Sequence, residues 1–395
     1  MREKNNIIPS IILVVKKLFL FLFILVFGIY FLSGNGATPY DYFTRLADSF
    51  LKGKFYLSQP NPWLSELIAG GLRKYYVVFP PMPSIVLMPF RLFFGNNFRQ
   101  DYLANLLGAG TVVMTMAMAW KIKKDVKLLI WTGLLTGFGT IIWFMSAVGS
   151  GWYLGQITGA FFLTAALFTA LYKKHPFLIG ILLGAAFLSR LHIILSIPLF
   201  IYLLNDKNRL NNYKNLALGI LPFILFNFFY NYIRFGVIWD KAYTLMPDLI
   251  YGSAYPKGVV SLSYIPEHLK VIFTYLPVFF KDFPYIFPNW HGLAIWITTP
   301  AFVYAFFASR KEKLVQLSWL SIFLISIVIF SHYTTGFAQF GYRFAVDFYP
   351  ILLFLTIKGA ARTGLTWHHW LLLALSLVVN LWGVYSMHLF GWPCC

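Results

Sequence analysis

Cysteine is nearly absent: the 395-residue chain has two, Cys394 and Cys395, adjacent at its end. Two neighbouring thiols cannot build a disulfide framework or a cysteine-rich metal site. The pair reads as an incidental tail, the other reading being a reactive or lipidated C-terminus. Acidic residues are scarce too, 13 Asp+Glu against 32 Lys+Arg, and charged residues make up only 11% of the chain. A soluble domain carries about 25%, so this chain cannot clothe a water-soluble globule. No internal repeat of the kind that marks many transporters is visible. The histidines His192, His268, His291 and His332 show no metal-ligand spacing, and no metal is expected.

What the chain has in quantity is apolar sequence: 59% hydrophobic, 20% aromatic, with a mean hydropathy of +0.69. Runs long enough for about 30 Å of hydrocarbon lie near 12–33, 102–120, 128–147, 153–172, 177–189, 193–204, 215–233, 292–308, 314–331, 347–358 and 367–389. The expected fold is an all-α integral membrane protein, a polytopic helical bundle of about eleven spans forming one domain over residues 1–395. The two short runs on either side of Ser189-Arg190-Leu191-His192 are expected to form a tight hairpin.

Charge sets the orientation. Arg2, Lys4, Lys16 and Lys17 precede the first run and place the N-terminus in the cytoplasm, and no small-residue cleavage site follows Phe31-Leu32-Ser33. The short turns at Lys121–Lys127, Lys173-Lys174, Asp206–Arg209, Arg310–Lys313 and Lys358–Arg362 then fall on the same side. Nine acids fall on the other: Asp41, Asp48, Glu66, Asp101, Asp240, Asp248, Glu267, Asp282 and Asp347. The net charge of +19 is thus mainly a topology signal, and no nucleic-acid partner is expected.

The outer side carries all the substantial loops, above all residues 34–101 and 234–291. Within the first, residues 76–95 are apolar enough to be taken for a span. Four prolines and Arg91 suit a re-entrant or surface helix better, and a crossing there would invert the charge asymmetry. A long, carboxylate-bearing first loop among otherwise short turns points to chemistry on the outer face.

Three requirements of one reaction class meet there. Moving a sugar off a polyprenyl-phosphate carrier needs a carboxylate to take the acceptor's proton, cations for the departing phosphate, and an apolar groove with aromatic faces. Asp41 follows the first span closely, and Asp48, about two helical turns on, shares its face if 40–51 is helical. Each is equally readable as an ordinary surface or helix-end charge, and Glu66 is a weaker candidate. For the phosphate, Arg190 sits between two apolar runs, where a cation is expensive unless functional or snorkelling. Arg343 is four residues from Asp347, an ion-pair spacing as well as a substrate-contact one. Arg73 and Lys74 could meet a phosphate or simply be solvated. Trp152 and Tyr153, beside glycines in Gly149–Tyr153, and His192 are candidate sugar or acceptor contacts, although interfacial aromatics need no such role.

Several stretches carry a family resemblance: Leu46–Leu57, Tyr75–Pro83, Asn231–Gly236 and Phe340–Arg343. With the early outer-loop Asp, the Pro-Pro surface helix and the basic residue between two short spans, the chain resembles the GT-C glycosyltransferase superfamily. Within it, the likeness is to bacterial relatives of protein O-mannosyltransferases and lipid A aminoarabinose transferases, glycosyltransferase family 39-like. The resemblance implies inverting transfer from a polyprenyl-phosphate sugar at the outer face of the inner membrane, without metal or other cofactor. It implies a glycolipid, polysaccharide or protein acceptor. The family's catalytic Asp commonly stands in an Asp-Glu pair ahead of a Tyr. Here Asp41 is followed directly by Tyr42, and alignment on Leu46-Ala47 sets Asp41 a couple of positions off, which keeps Asp48 in contention. No large soluble C-terminal domain follows, so acceptor recognition is expected from the outer loops, chiefly 234–291. Competing readings are a lipid-linked saccharide transporter or flippase, and a polysaccharide ligase or polymerase using a diphosphate-linked donor.

Overall fold

Apolar periodicity organises the chain into helices, and the computed structural model describes residues 2–59, 61–172, 175–246 and 257–389. The Lys173-Lys174 turn, Asp248 and Cys394-Cys395 lie outside the described residues. Among those described, five helices are long and apolar enough to cross a membrane: Gln100–Ile122, Gly151–Tyr172, Arg209–Phe235, Lys313–Phe330 and Trp367–His388. A sixth crossing is made if Val126–Phe138 and Ile142–Val148, bent by 48° at their junction, form one span.

The other expected spans are shorter or broken. Lys17–Leu32, Pro176–Ser189 and Leu191–Leu203 are short apolar helices. Residues 292–308 form a one-turn helix, Ile295–Thr298, followed by a 3₁₀ stretch, Pro300–Phe307. Helix Tyr349–Thr363 has 15 residues. By length and composition alone, five or six candidate crossings stand among the described residues. The two helices flanking Arg190 do not pack as a hairpin: Pro176–Ser189 lies against Arg209–Phe235, and Ile197–Leu203 against Lys313–Phe330.

The long helices are polar inside as well as apolar. Buried Thr111, Thr115, Thr158, Thr164 and Thr356 each donate to the carbonyl four residues back, at 2.7–2.9 Å. Their hydroxyls need no partner from a neighbouring helix, as a lipid-facing bundle requires. Helices Pro176–Ser189 and Arg209–Phe235 approach backbone to backbone, because Gly180 and Gly219 lie against each other. A Cβ on Gly219 would overlap the carbonyl oxygen of Phe177, the close approach that small residues permit between apolar helices.

The first outer loop folds as a platform. Helix α2, Tyr42–Leu51, buries Tyr42, Phe43, Leu46 and Ala47 on one face. Strands β1, Leu67–Ala69, and β2, Tyr75–Val77, pair antiparallel with Leu67 opposite Val77. Gly71, at φ +101°, supplies the turn between them. Helix α3, Met82–Phe94, follows with Pro81 at its N-cap and Pro89 inside. At 13 residues it is too short to cross, and it packs on α2. Leu92, Phe93 and Phe94 at its end stand exposed.

The Gly219 contact generates a test. Gly219→Leu is expected to destabilise the protein by about 1–3 kcal/mol, as overpacking does. Gly28→Leu, where a Cβ meets nothing within 4 Å, is expected to leave it unchanged. Thermal unfolding in detergent followed by size-exclusion chromatography reads both.

Candidate active site

A cavity of about 530 Å³ opens where ends of several helices meet the 34–101 segment. Its polar residues come from segments far apart in sequence: Glu66, Trp152, Arg190 with His192, Asp240 with Tyr243, His332 and Arg343. Its apolar side is Ile194, Leu195, Val328, Ile329 and Phe344.

Arg190 reaches the cavity because the helix stops. Helix Pro176–Ser189 ends there, Arg190 is extended (φ −150°, ψ 101°), and the 3₁₀ stretch Leu191–Ser196 begins after it. Beneath lies Asp347, 0% exposed. One oxygen, Oδ2, accepts from Arg190 Nε at 3.0 Å and meets His192 Nε2 at 2.7 Å. The i,i+4 pairing of Arg343 with Asp347 is not made. Residues 343–347 form a 3₁₀ turn, which at three residues per turn does not stack positions four apart.

Arg343 is held by its backbone instead. Its N–H donates to Gln339 Oε1 at 3.1 Å, and its carbonyl accepts from Gln156 Nε2 at 2.9 Å. The guanidinium lies over the rings of Phe344, at 4.9 Å, and Tyr153, at 5.9 Å. Its Nε is fully buried without a hydrogen-bond partner among the described residues. A buried cation in this state is costly and marks a binding site.

Opposite charge enters from two loops. The indole Nε1 of Trp152 donates to Glu66 Oε2 at 2.5 Å, and the Glu66 N–H donates to the Tyr42 hydroxyl at 3.2 Å. Trp152 is set by the glycine turn before it, with Gly149 left-handed at φ +57° and its α-carbon close against Asp101. Asp240 follows helix Arg209–Phe235, and its Oδ1 accepts from the Ala242 N–H at 2.9 Å. Burial raises the Asp240 pKa, opposed by that hydrogen bond and by Arg234. Burial also pushes the Tyr243 phenol up to about 12, so it stays protonated beside Arg190. His332 is pushed down to about 3, by burial first and then by the cationic neighbours Arg190 and Arg343, so it is neutral.

Asp41 and Asp48 lie elsewhere. They line a second, smaller pocket of about 310 Å³ with Arg45, Arg91, Arg99 and Asp101. Asp41 accepts from Arg45 Nε at 2.6 Å. Asp48 is gripped by Arg91 through Nε and Nη2, both at 2.7 Å. The wall between the pockets is Tyr40, whose carbonyl accepts from Gln100 and from the Gly151 N–H, and whose ring lies 4.5 Å from that of Trp152.

The structure thus brings together Arg190, Arg343, Glu66, Trp152 and His192, with Tyr153 just beneath, its hydroxyl on the Ala338 carbonyl. Arg73 and Lys74 do not join them: they sit exposed on the β1–β2 turn, with Lys74 over the Tyr56 ring. Sequence reasoning missed Asp240, Tyr243 and the part played by Asp347. The available signal was that Asp240 and Asp347 belong to the few outer-side acids.

No protein-family model matches the chain, and no curated protein matches it in sequence. Among solved structures, its fold is similar to that of ArnT from Cupriavidus metallidurans, crystallised bound to undecaprenyl phosphate. The TM-score is 0.55 at 14% sequence identity, covering 93% of this chain and 64% of that one. The likeness shows the fold, an ArnT-like helical fold extending over nearly the whole chain, while the chain spans under two thirds of ArnT's length.

The Asp347 cluster makes a stability prediction. Removing a carboxylate that compensates a buried guanidinium, here Arg190, costs about 3–5 kcal/mol. Asp347→Ala is expected to show that loss in unfolding measurements, and Asp347→Leu with Arg190→Met to recover part of it. A loss of under about 1 kcal/mol would instead indicate a solvated pair.

Proposed function

We propose that this protein is a glycosyltransferase that takes a sugar from a polyprenyl-phosphate carrier and places it on a cell-envelope acceptor at the outer face of the inner membrane. The observation that carries the reading is Arg343: a buried guanidinium whose Nε has no hydrogen-bond partner among the described residues, sharing one cavity with Arg190 and a carboxylate, Glu66. The fold's likeness to a protein crystallised with undecaprenyl phosphate supports the same class of donor. The proposed topology has the N-terminus in the cytoplasm, with the short apolar helices completing about eleven passages through the bilayer.

In this reading the phosphate of the donor lies against Arg190 and Arg343, and its isoprenoid runs along Ile194, Leu195, Val328 and Ile329. An acceptor hydroxyl, on a glycolipid, polysaccharide or protein, attacks the anomeric carbon from the face opposite the phosphate. Glu66 takes the hydroxyl proton, the new C–O bond forms, and the bond from the anomeric carbon to the phosphate oxygen breaks. A single displacement of this kind inverts the anomeric centre. The two guanidiniums neutralise the charge that develops on the leaving phosphate, in a low-dielectric setting where such contacts are strongest. Asp347 holds Arg190 in place for that work. Trp152 orients the Glu66 carboxylate and offers the sugar an aromatic face.

The base is assigned to Glu66 rather than to Asp41 or Asp48 because only Glu66 lines the large cavity. A carboxylate chelated by an arginine, as Asp48 is by Arg91, has its lone pairs already engaged.

The assay is release of polyprenyl phosphate from a panel of polyprenyl-phosphate hexoses, with crude membrane acceptors, by protein in lipid nanodiscs. Glu66→Gln is expected to cut turnover by about 10²–10⁴-fold, the usual worth of a general base. Asp41→Asn and Asp48→Asn are expected to retain turnover within about 10-fold. Loss confined to Asp41→Asn or Asp48→Asn would return the base to the smaller pocket. No release by wild type from any donor would favour a diphosphate-linked donor or a transporter.

A further inference from the structure

We infer that Asp240 reads the transferred sugar, accepting hydrogen bonds from its ring hydroxyls and so selecting which monosaccharide the cavity accepts. The inference rests on the glycosyl-transfer reading above and adds to it a specificity-determining residue.

The cavity holds two carboxylates, Glu66 and Asp240, and a single displacement consumes only one base. The second needs another use, because a charge left in a partly buried wall is costly unless something binds it. The surrounding structure has an obvious partner for Asp240 and withholds it. Arg234 is nearby, but it donates to the Tyr230 carbonyl at 3.2 Å, the Val77 carbonyl at 2.9 Å and Asn231 Oδ1 at 2.8 Å, and it stacks on the Tyr230 ring at 3.7 Å. Three of its five N–H donors are thereby engaged, two within its own helix and one tying that helix to β2.

Asp240 keeps one hydrogen bond, from the Ala242 N–H to Oδ1. This is an Asx turn, and it fixes the direction of the carboxylate. Its other oxygen has no hydrogen-bond partner among the described residues. A pre-aimed, unpaired acceptor suits a ligand rich in hydroxyl donors. Its neighbours suit the same ligand. Tyr243, three residues on, brings a protonated hydroxyl and a ring face beside Arg190, so it bridges the sugar and the phosphate. His332 stays neutral across the way and can exchange hydrogen bonds without adding charge.

Such a site discriminates between epimers, because a hydroxyl turned the wrong way leaves a carboxylate oxygen of the cavity wall without its partner. The expected preference is for a pyranose whose hydroxyls converge on Asp240. The probes are polyprenyl-phosphate monosaccharides of gluco, manno and galacto configuration, with polyprenyl phosphate alone as a fourth.

Wild type is assayed first for release from each donor, since silence there would sink the glycosyl-transfer reading and not the residue assignment alone. With a preferred donor in hand, Asp240→Asn is expected to lower kcat/KM for that donor by about 10- to 100-fold, the scale of a hydrogen bond to a charged group. The poorer donors should suffer less, so that the preference collapses. Asp240→Glu keeps the charge but moves it by one methylene, and is expected to change the ranking of donors. Thermal stabilisation by polyprenyl phosphate alone is expected to survive both substitutions. The inference is overturned if Asp240→Asn slows all donors equally, or if it abolishes stabilisation by polyprenyl phosphate alone. It is also overturned if Asp240→Asn abolishes turnover while Glu66→Gln retains it, which would make Asp240 the base.

Discussion

One buried carboxylate organises the site. Asp347 is fully enclosed, and its Oδ2 alone holds Arg190 and His192. Charges at that depth are tolerated only when paired. The pairing therefore fixes where the helix after Ser189 must break and which way Arg190 points. Arg343 is supplied from the same short turn as Asp347, so one five-residue segment, Arg343–Asp347, sets the cation of each kind: one compensated, one left for a ligand. That segment is itself pinned by Gln156 and Gln339, which links it to the helix beginning at Gly151 and hence to Trp152 and Glu66.

The division between two pockets follows from the same economy of charge. In the smaller one, Asp41, Asp48 and Asp101 each have an arginine partner, Arg45, Arg91 and Arg99. Such a surface is electrostatically settled and serves to hold α2, α3 and the start of helix Gln100–Ile122 together. In the larger one, Arg343 and Asp240 both retain unpaired groups among the described residues. A binding site is a place where a protein leaves its own pairing incomplete, and on that criterion the larger cavity is the candidate site.

Much of this was legible in the sequence, and the rest was withheld for identifiable reasons. Long apolar runs gave the crossing helices, the prolines of 76–95 gave a helix too short to cross, and the isolated cation at Arg190 pointed to the site. Proximity in sequence to the first span favours Asp41 as the base, whereas Asp41 and Asp48 line the smaller pocket. The β1–β2 hairpin folds the loop back, with Leu57 bridged to Tyr75, so that Glu66 enters the cavity instead. The partners that occupy Asp48 and Asp347 come from Arg91, Arg190 and His192, all distant in the chain, and no local pattern announces them. Asp347 was expected to pair with Arg343 on helical spacing, and the turn there is 3₁₀. Asp240 lies in irregular chain, where periodicity carries no information.

The most direct measurement is a cryo-electron microscopy structure of the protein in lipid nanodiscs with polyprenyl phosphate. The account predicts phosphate density within hydrogen-bond distance of the guanidiniums of Arg343 and Arg190, with the isoprenoid along Ile194 and Val328. Phosphate density in the smaller pocket, against Arg45 or Arg99, with the larger cavity free of it, would contradict the account.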